Sequence, residues 1–308
     1  MIYSSGMGNL VDKPLVSIIT PVRNNIKYLE KCIQSVLNQS YPYIEHIFVD
    51  GVSTDGTLEM LADYRSKYPD RIKFISEPDK SAGEAWIKGL RIAKGSILGW
   101  LGADDTYEPD AIQTVVKFFK TDQSAYFVFG GCNYINETGE VIKQVITKDF
   151  DLNEAINDMC SLPNTSAFYK REVIDKVNPD IIAEQDSEVE YWIMVGEIFK
   201  IHRIEPVLSN FRVYNDKNRA QNDMYSFAKA TYEIGRRHGA GIFSPCAKRY
   251  YLALATRPVQ GIIDPIFHAM STGDTERNSL LVRITRPFHP LIRIIYHSMT
   301  KGGQSNND

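Results

Sequence analysis

Across the first 120 residues, short apolar runs alternate with amphipathic stretches of helical period, the sequence sign of parallel βαβ units. Leu15 to Val22 reads as a first strand. A helix follows on which Leu29, Cys32, Ile33, Val36 and Leu37 share one face, ending at Ser40-Tyr41-Pro42. Ile44 to Val49 and Ile72 to Ser76 make the next two strands. The helix between them, near Leu58 to Tyr68, can be capped by Ser53 or Thr54, and Ala82 to Ala93 forms a third helix. The run Ser96 to Ala103 is a fourth strand and carries Asp104 and Asp105 at its end. Strands of a parallel sheet are covered on both faces by the helices between them. The pattern therefore demands an α/β fold whose loops gather at the carboxyl ends of the strands, where ligands bind.

Beyond the doublet the alternation breaks down. A helix buries Ala111, Ile112, Val115, Val116 and Phe119, and a hairpin pairs Tyr126 to Ile135 with Val141 to Ile146 through Glu137-Thr138-Gly139. Between Leu162 and Tyr214 the sequence predicts a strand at Ser166 to Tyr169, a helix at Ser187 to Phe199 and a strand at Ile201 to Val213, as a second layer beside the sheet. From about Asn218 the pattern is helical and broken by prolines. A length of 308 residues with 43% hydrophobic and 24% charged side chains suits one large core with an appended subdomain.

A formal charge of -3 removes the electrostatic argument for nucleic acid as a partner. Cys32, Cys132, Cys160 and Cys246 lack zinc or disulfide spacing, which fits a reducing cytoplasm. With no signal-peptide pattern and no apolar run of about 18 residues, the expected location is cytoplasmic.

Four loops share the predicted ligand edge: Thr20 to Asn24, Asp50 to Thr57, Glu77 to Gly83, and the doublet. Neither G-x-G-x-x-G nor a Walker-type glycine loop is present, so a nucleotide must be held without those phosphate cradles. Paired carboxylates at a strand end suit a divalent cation carrying a diphosphate, and they equally suit a helix cap. Likewise, Glu184, Asp186, Glu188 and Glu190 can be a solvated acidic first turn favoured by the helix dipole.

Val16-Ser-Ile-Ile-Thr-Pro-Val-Arg-Asn24, Ser35-Val-Leu-Asn-Gln-Ser-Tyr-Pro42, Val49-Asp-Gly-Val-Ser-Thr-Asp-Gly-Thr57 and Trp100-Leu-Gly-Ala-Asp-Asp105 together resemble the family 2 inverting glycosyltransferases of the GT-A fold, of bacterial polysaccharide type. The resemblance covers residues 14 to 214. It implies a GT-A-like nucleotide-binding sheet flanked by helices, with a nucleotide-sugar half at 14–106, an acceptor half at 107–214, and a mostly helical extension at 215–308. Thr20, Asp50 and Asp55 are then expected at the base and ribose, Asp79 among the nucleotide-sugar contacts, Asp104 at the ribose, and Asp105 on Mn²⁺ or Mg²⁺. Glu188, four residues before Trp192, matches the family's catalytic base, with Asp186 as alternative. Among aromatics that mostly suit the core, Trp192 is the acceptor-side candidate, and Arg212, Lys217 or Arg219 can help bind the diphosphate or stay as solvated surface charge. Three positions depart from the pattern: Gly51 replaces a second Asp that bonds the base in many relatives, Ile87 a common Asn, and Tyr214 a frequent His.

Arg277 to Lys301 carries five basic and no acidic residues among apolar ones, a composition drawn to anionic lipid or packed as a helix on the catalytic domain. The sequence thus predicts a metal-dependent inverting transferase. It would move a sugar from a nucleotide sugar, with UDP-sugar expected, to a glycan or lipid-linked saccharide at the inner face of a membrane. A decayed nucleotide-binding scaffold and a sugar nucleotidyltransferase are the other readings.

Overall fold

The computed structural model describes residues 13–145, 147–158, 162–185, 188–214 and 224–256. These divide into two compact units, one holding the described residues up to Leu152 and from 162 to 214, the other those of 153–158 and 224–256. The first unit runs β1 (Val16–Val22), α1 (Ile26–Leu37), β2 (Ile44–Asp50), α2 (Thr57–Lys67), β3 (Ile72–Ser76), α3 (Ala82–Ile92), β4 (Ile97–Trp100), β5 (Thr106–Tyr107), α4 (Ala111–Thr121), β6 (Phe127–Ile135) and β7 (Val141–Val145). α5 (Leu152–Asp158) belongs from residue 153 to the second unit, and the first resumes with a 3₁₀ turn at Asn164–Ser166, β8 (Ala167–Lys170), α6 (Glu172–Lys176), α7 (Asp180–Gln185), α8 (Glu188–Ile198) and β9 (Ile201–Arg212).

All nine strands form one sheet, in the order β3-β2-β1-β4-β8-β6-β9-β5 with β7 beside β6. From β3 to β4 the pairing is parallel, as the alternation predicts. The strands of the second half do not make a separate layer. β8 runs antiparallel against β4, with Gly99 opposite Phe168, and β6 and β9 continue outward from it. Because β8 is antiparallel to β4, its first residues and the 3₁₀ turn before them lie at the carboxyl end of β4. The second half of the chain therefore adds its own side chains to the ligand edge.

β1 shows why the sheet must be covered twice. Ile18 packs with Leu29, Ile33, Phe48 and Phe119 on one face. Its neighbour Ile19 packs with Ile47, Trp86, Leu98 and Tyr169 on the other. Pro206 falls in β9 where the β6–β9 register shifts, a place that tolerates a residue without an N–H.

The second unit contains α9 (Met224–Arg237) and α10 (Pro245–Thr256). Arg249 of α10 pairs with Asp158, and Tyr232 stacks on Tyr250 with ring centroids 4.7 Å apart. Among the described residues, no helix is long and apolar enough to cross a membrane. The basic stretch 277–301 lies outside the described residues, as do Asp186, Lys217 and Arg219.

Candidate functional site

The loops after β1 and β2 are stitched together residue by residue. Asn24 donates its backbone N–H to Ser53 Oγ at 2.8 Å, and its side-chain oxygen accepts from Thr54 N, also at 2.8 Å. Asp55 closes the seam, with Oδ2 accepting from Ile26 N at 2.9 Å and Oδ1 from Thr57 N at 3.1 Å. Burial raises the Asp55 pKa, but the bonds from Thr57 and Ile26 outweigh it and hold the carboxyl below its usual range. Asp55 thus fastens the first residue of α2 to the first of α1, and the N-cap is Gly56, without a side-chain cap bond, in place of the expected Ser53 or Thr54. Asn24 and Val52 both have positive φ, 49° and 60°. For a β-branched residue such as Val52 this is a strained conformation.

Thr20 is fully buried and shares a 2.9 Å hydrogen bond with His46 Nε2. Burial, helped by the charge of Arg71, pulls the His46 pKa down to about 3. Asp50 ends β2 with no exposure, and its Oδ2 accepts from Ser53 N at 3.1 Å and Ser76 Oγ at 2.7 Å. Its Oδ1 is buried with no hydrogen-bond partner. Asp79, on the loop after β3, lies over Gly51, such that a Cβ on Gly51 would stand 2.6 Å from Asp79 Oδ2. Burial raises the Asp79 pKa against the opposing charges of Lys88 and Arg23.

The doublet is divided by depth. Asp105 is 3% exposed and its Oδ1 accepts from Arg212 N at 2.8 Å, while Asp104 is half-buried. A Cβ on Gly102 would stand 2.5 Å from Asp105 Oδ2, so the carboxylates fold back over that glycine. Asp104 Oδ2 accepts a 2.6 Å hydrogen bond from the hydroxyl of Tyr214. Burial first, and then this bond, raise the tyrosine pKa. Arg212, expected at the diphosphate or at the solvated surface, turns inward. It is 1% exposed, and its guanidinium donates to the carbonyls of Asp104, Asn136 and Glu137 at 2.8, 2.7 and 3.1 Å and lies over the Tyr28 ring.

Trp192, expected on the acceptor side, is 5% exposed and packs among Phe127, Tyr169 and Tyr191. Its indole N–H donates to Asn164 Oδ1 at 2.7 Å. Asn164 opens the 3₁₀ turn at the carboxyl end of β4, so this bond ties α8 to the edge that carries the doublet. Glu188, half-buried, begins α8 one helical turn before Trp192. Asn164 and the inward role of Arg212 escaped the sequence reading. A lone Asn before a short strand carries no recognisable spacing, and the partners of Arg212 are backbone oxygens.

Among the described residues no three His, Cys, Asp or Glu side chains cluster at metal-binding distance. At the end of β4 the hard-oxygen donors are the doublet carboxylates, Asp104 half-buried and Asp105 buried, and an accessible carboxylate there suits a cation that brings diphosphate and water oxygens of its own. A buried carboxylate with an unused oxygen can accept an N–H from a ligand.

The family model described as "Glycosyl transferase family 2" matches residues 17–177. An uncharacterized glycosyltransferase of Nostoc sp. is 30% identical over 237 residues, covering 74% of this chain and 72% of its own. The putative teichuronic acid biosynthesis glycosyltransferase TuaG of Bacillus subtilis is 30% identical over 232 residues, 73% of this chain and 88% of its own. The chondroitin synthase of Escherichia coli is 36% identical over 129 residues, 42% of this chain but 19% of that protein, so this chain spans a fraction of its length. In fold, the chain resembles the mannosyltransferase PcManGT of Pyrobaculum calidifontis in complex with GDP-Man and Mn²⁺, with a TM-score of 0.58, 18% identity and 94% and 87% of the two chains covered. It also resembles S. aureus TarS in complex with UDP-GlcNAc, with a TM-score of 0.58, 15% identity and 94% and 88% covered.

Proposed function

We propose that this chain, which belongs to glycosyltransferase family 2, moves a sugar from a nucleotide sugar as a metal-dependent inverting enzyme with a UDP-sugar donor. The observation that carries the reading is the doublet, with half-buried Asp104 facing the edge and Asp105 locked behind it by Arg212 N–H. Burial argues for a changed division of labour. Asp104 is the direct ligand of Mn²⁺ or Mg²⁺, and Asp105, favoured by the resemblance, fixes the loop from which Asp104 projects. When bound, the cation neutralises the charge that builds on the nucleoside diphosphate as it leaves.

Glu188 takes the proton of the acceptor hydroxyl. That oxygen forms the new bond to the anomeric carbon from the face opposite the leaving group. The carbon–oxygen bond to the diphosphate breaks with its electron pair, and configuration inverts. General-base help of this kind contributes about 10² to 10⁴ in rate. Trp192 sets the position of Glu188 through its bond to Asn164 and does not itself touch the acceptor. We assign the acceptor to the glycan or lipid-linked saccharide class, met at the inner face of a membrane, a reading supported by the similarity to TuaG.

The test is transfer from a nucleotide-sugar panel with and without EDTA, with the anomeric configuration of the product read by NMR. Asp104→Ala and Glu188→Gln are each expected to lose at least about 10²-fold in turnover. Undiminished transfer by either variant removes its assigned role, and retained configuration in the product removes inversion.

A further inference from the structure

Gly51 is not in the left-handed region, so its backbone does not call for glycine. What excludes a side chain there is Asp79, whose carboxylate occupies the space of the missing Cβ, 2.6 Å from Oδ2 and 3.4 Å from Cγ. Many relatives place a carboxylate on the base from position 51, and this chain brings one to the same place from another loop. Asp55, which the resemblance also sets at the base and ribose, has both oxygens occupied by Ile26 and Thr57 N–H groups. Next to Gly51, Asp50 is fully buried and keeps Oδ1 without a partner.

We propose that Asp79 supplies the carboxylate that position 51 lacks, so that Gly51 and Asp79 are one exchangeable unit that, with Asp50, selects a nucleobase bearing a ring N–H on its pairing edge. The inference rests on the reading of this edge as a nucleotide-sugar site. A carboxylate only accepts hydrogen bonds. Uracil and guanine present a ring N–H on that edge, whereas cytosine and adenine present a bare ring nitrogen beside their amino group, and a carboxylate facing that ring nitrogen is repelled. Arg23, whose Cδ lies 3.3 Å from the Gly51 Cβ position, and Lys88 are the cations that oppose the two acidic groups here.

Calorimetry with UDP, GDP, CDP and ADP in the presence of Mn²⁺ tests this, with thermal melts to confirm that each variant folds. The wild-type chain is expected to bind UDP or GDP at least tenfold more tightly than CDP and ADP, and the UDP and GDP arms decide between the two bases. Asp79→Ala loses that preference and about tenfold or more in affinity, the worth of one hydrogen bond to a charged group. Asp79→Asn keeps the shape but adds a donor, and shifts preference toward CDP. Gly51→Asp alone weakens binding by crowding Asp79, and Gly51→Asp combined with Asp79→Ala restores both affinity and preference. Wild-type preference persisting in Asp79→Ala overturns the proposal, and so does a combined variant that stays as weak as Asp79→Ala. Equal wild-type binding of all four nucleotides overturns this inference alone. Failure of the wild-type chain to bind any of them overturns the nucleotide-sugar reading as well.

Discussion

Strand β2 carries an acidic residue near each end, and the two are treated in opposite ways. At the amino end Glu45 is saturated. Oε1 accepts from Ser17 Oγ and Lys94 N, each at 2.5 Å, and from Gly95 N at 3.2 Å, while Oε2 pairs with Lys73. At the carboxyl end Asp50 is buried as deeply, yet one of its oxygens has no partner. A buried polar atom without a partner costs stability. Between these two carboxylates the cost falls on the one at the end where the ligand loops gather, which separates a carboxylate that holds the fold from one left open to a ligand.

Substitutions at four positions bear on that contrast. The largest effect is expected at Arg212, the saturated group on the open edge. Arg212→Ala removes a donor from three carbonyls, of which Asn136 O keeps the Gly139 N–H, and lowers unfolding stability by about 3 kcal/mol in denaturant melts, and Arg212→Lys recovers little, since a compact ammonium does not reproduce a planar fork. A stability of Arg212→Lys equal to wild type would show that the open edge tolerates loose anchoring. Next, Glu45→Gln turns a donor toward Lys73 or the backbone N–H groups and costs about 2 kcal/mol, with nucleotide affinity unchanged. Burial raises the Glu45 pKa, but Lys73, Ser17 and the Lys94 N–H together bring it below the ordinary value. This contribution is therefore complete above about pH 4.3, the unfolded value, and is lost as pH falls through the lower folded pKa, which acid melts of wild type against Glu45→Gln measure.

Asp50→Asn, the mirror experiment, leaves the melting temperature within a degree or two and weakens UDP binding by about tenfold. Comparable losses of stability in Glu45→Gln and Asp50→Asn would erase the distinction between the edges. The smallest effect belongs to Val52→Asn. Asn tolerates positive φ, so the substitution stabilises by up to about 1 kcal/mol, read as a rise in melting temperature.

How much of this the sequence exposed follows from how local each feature is. β1 to β4 and their helices are legible because each writes its burial as a period of its own, as the face from Leu29 to Leu37 does. The helices α5, α6 and α7 span seven, five and six residues, too short to display a period. Asp50 and Asp55 could be located, but the seam that fills Asp55 joins α1 to α2 across loops that no spacing connects. Trp192 became core because β6 and β8 surround it with Phe127 and Tyr169, residues remote in sequence. The pairing of Gly51 with Asp79 was hidden for the same reason, since glycine records a neighbour only by what it leaves out.

The bond from Arg212 N to Asp105 joins positions 107 residues apart, whereas the Asn24, Ser53 and Asp55 seam closes over 29 to 30. Contacts between distant positions form late, because the chain between them must first be ordered. During synthesis the seam can set while β9 is still unmade, and the doublet stays loose until the last strand arrives. A chain truncated before Arg212 would therefore emerge with its nucleotide loops shaped and its acidic pair unfixed, so the competence of this edge is a report that the whole sheet has been completed.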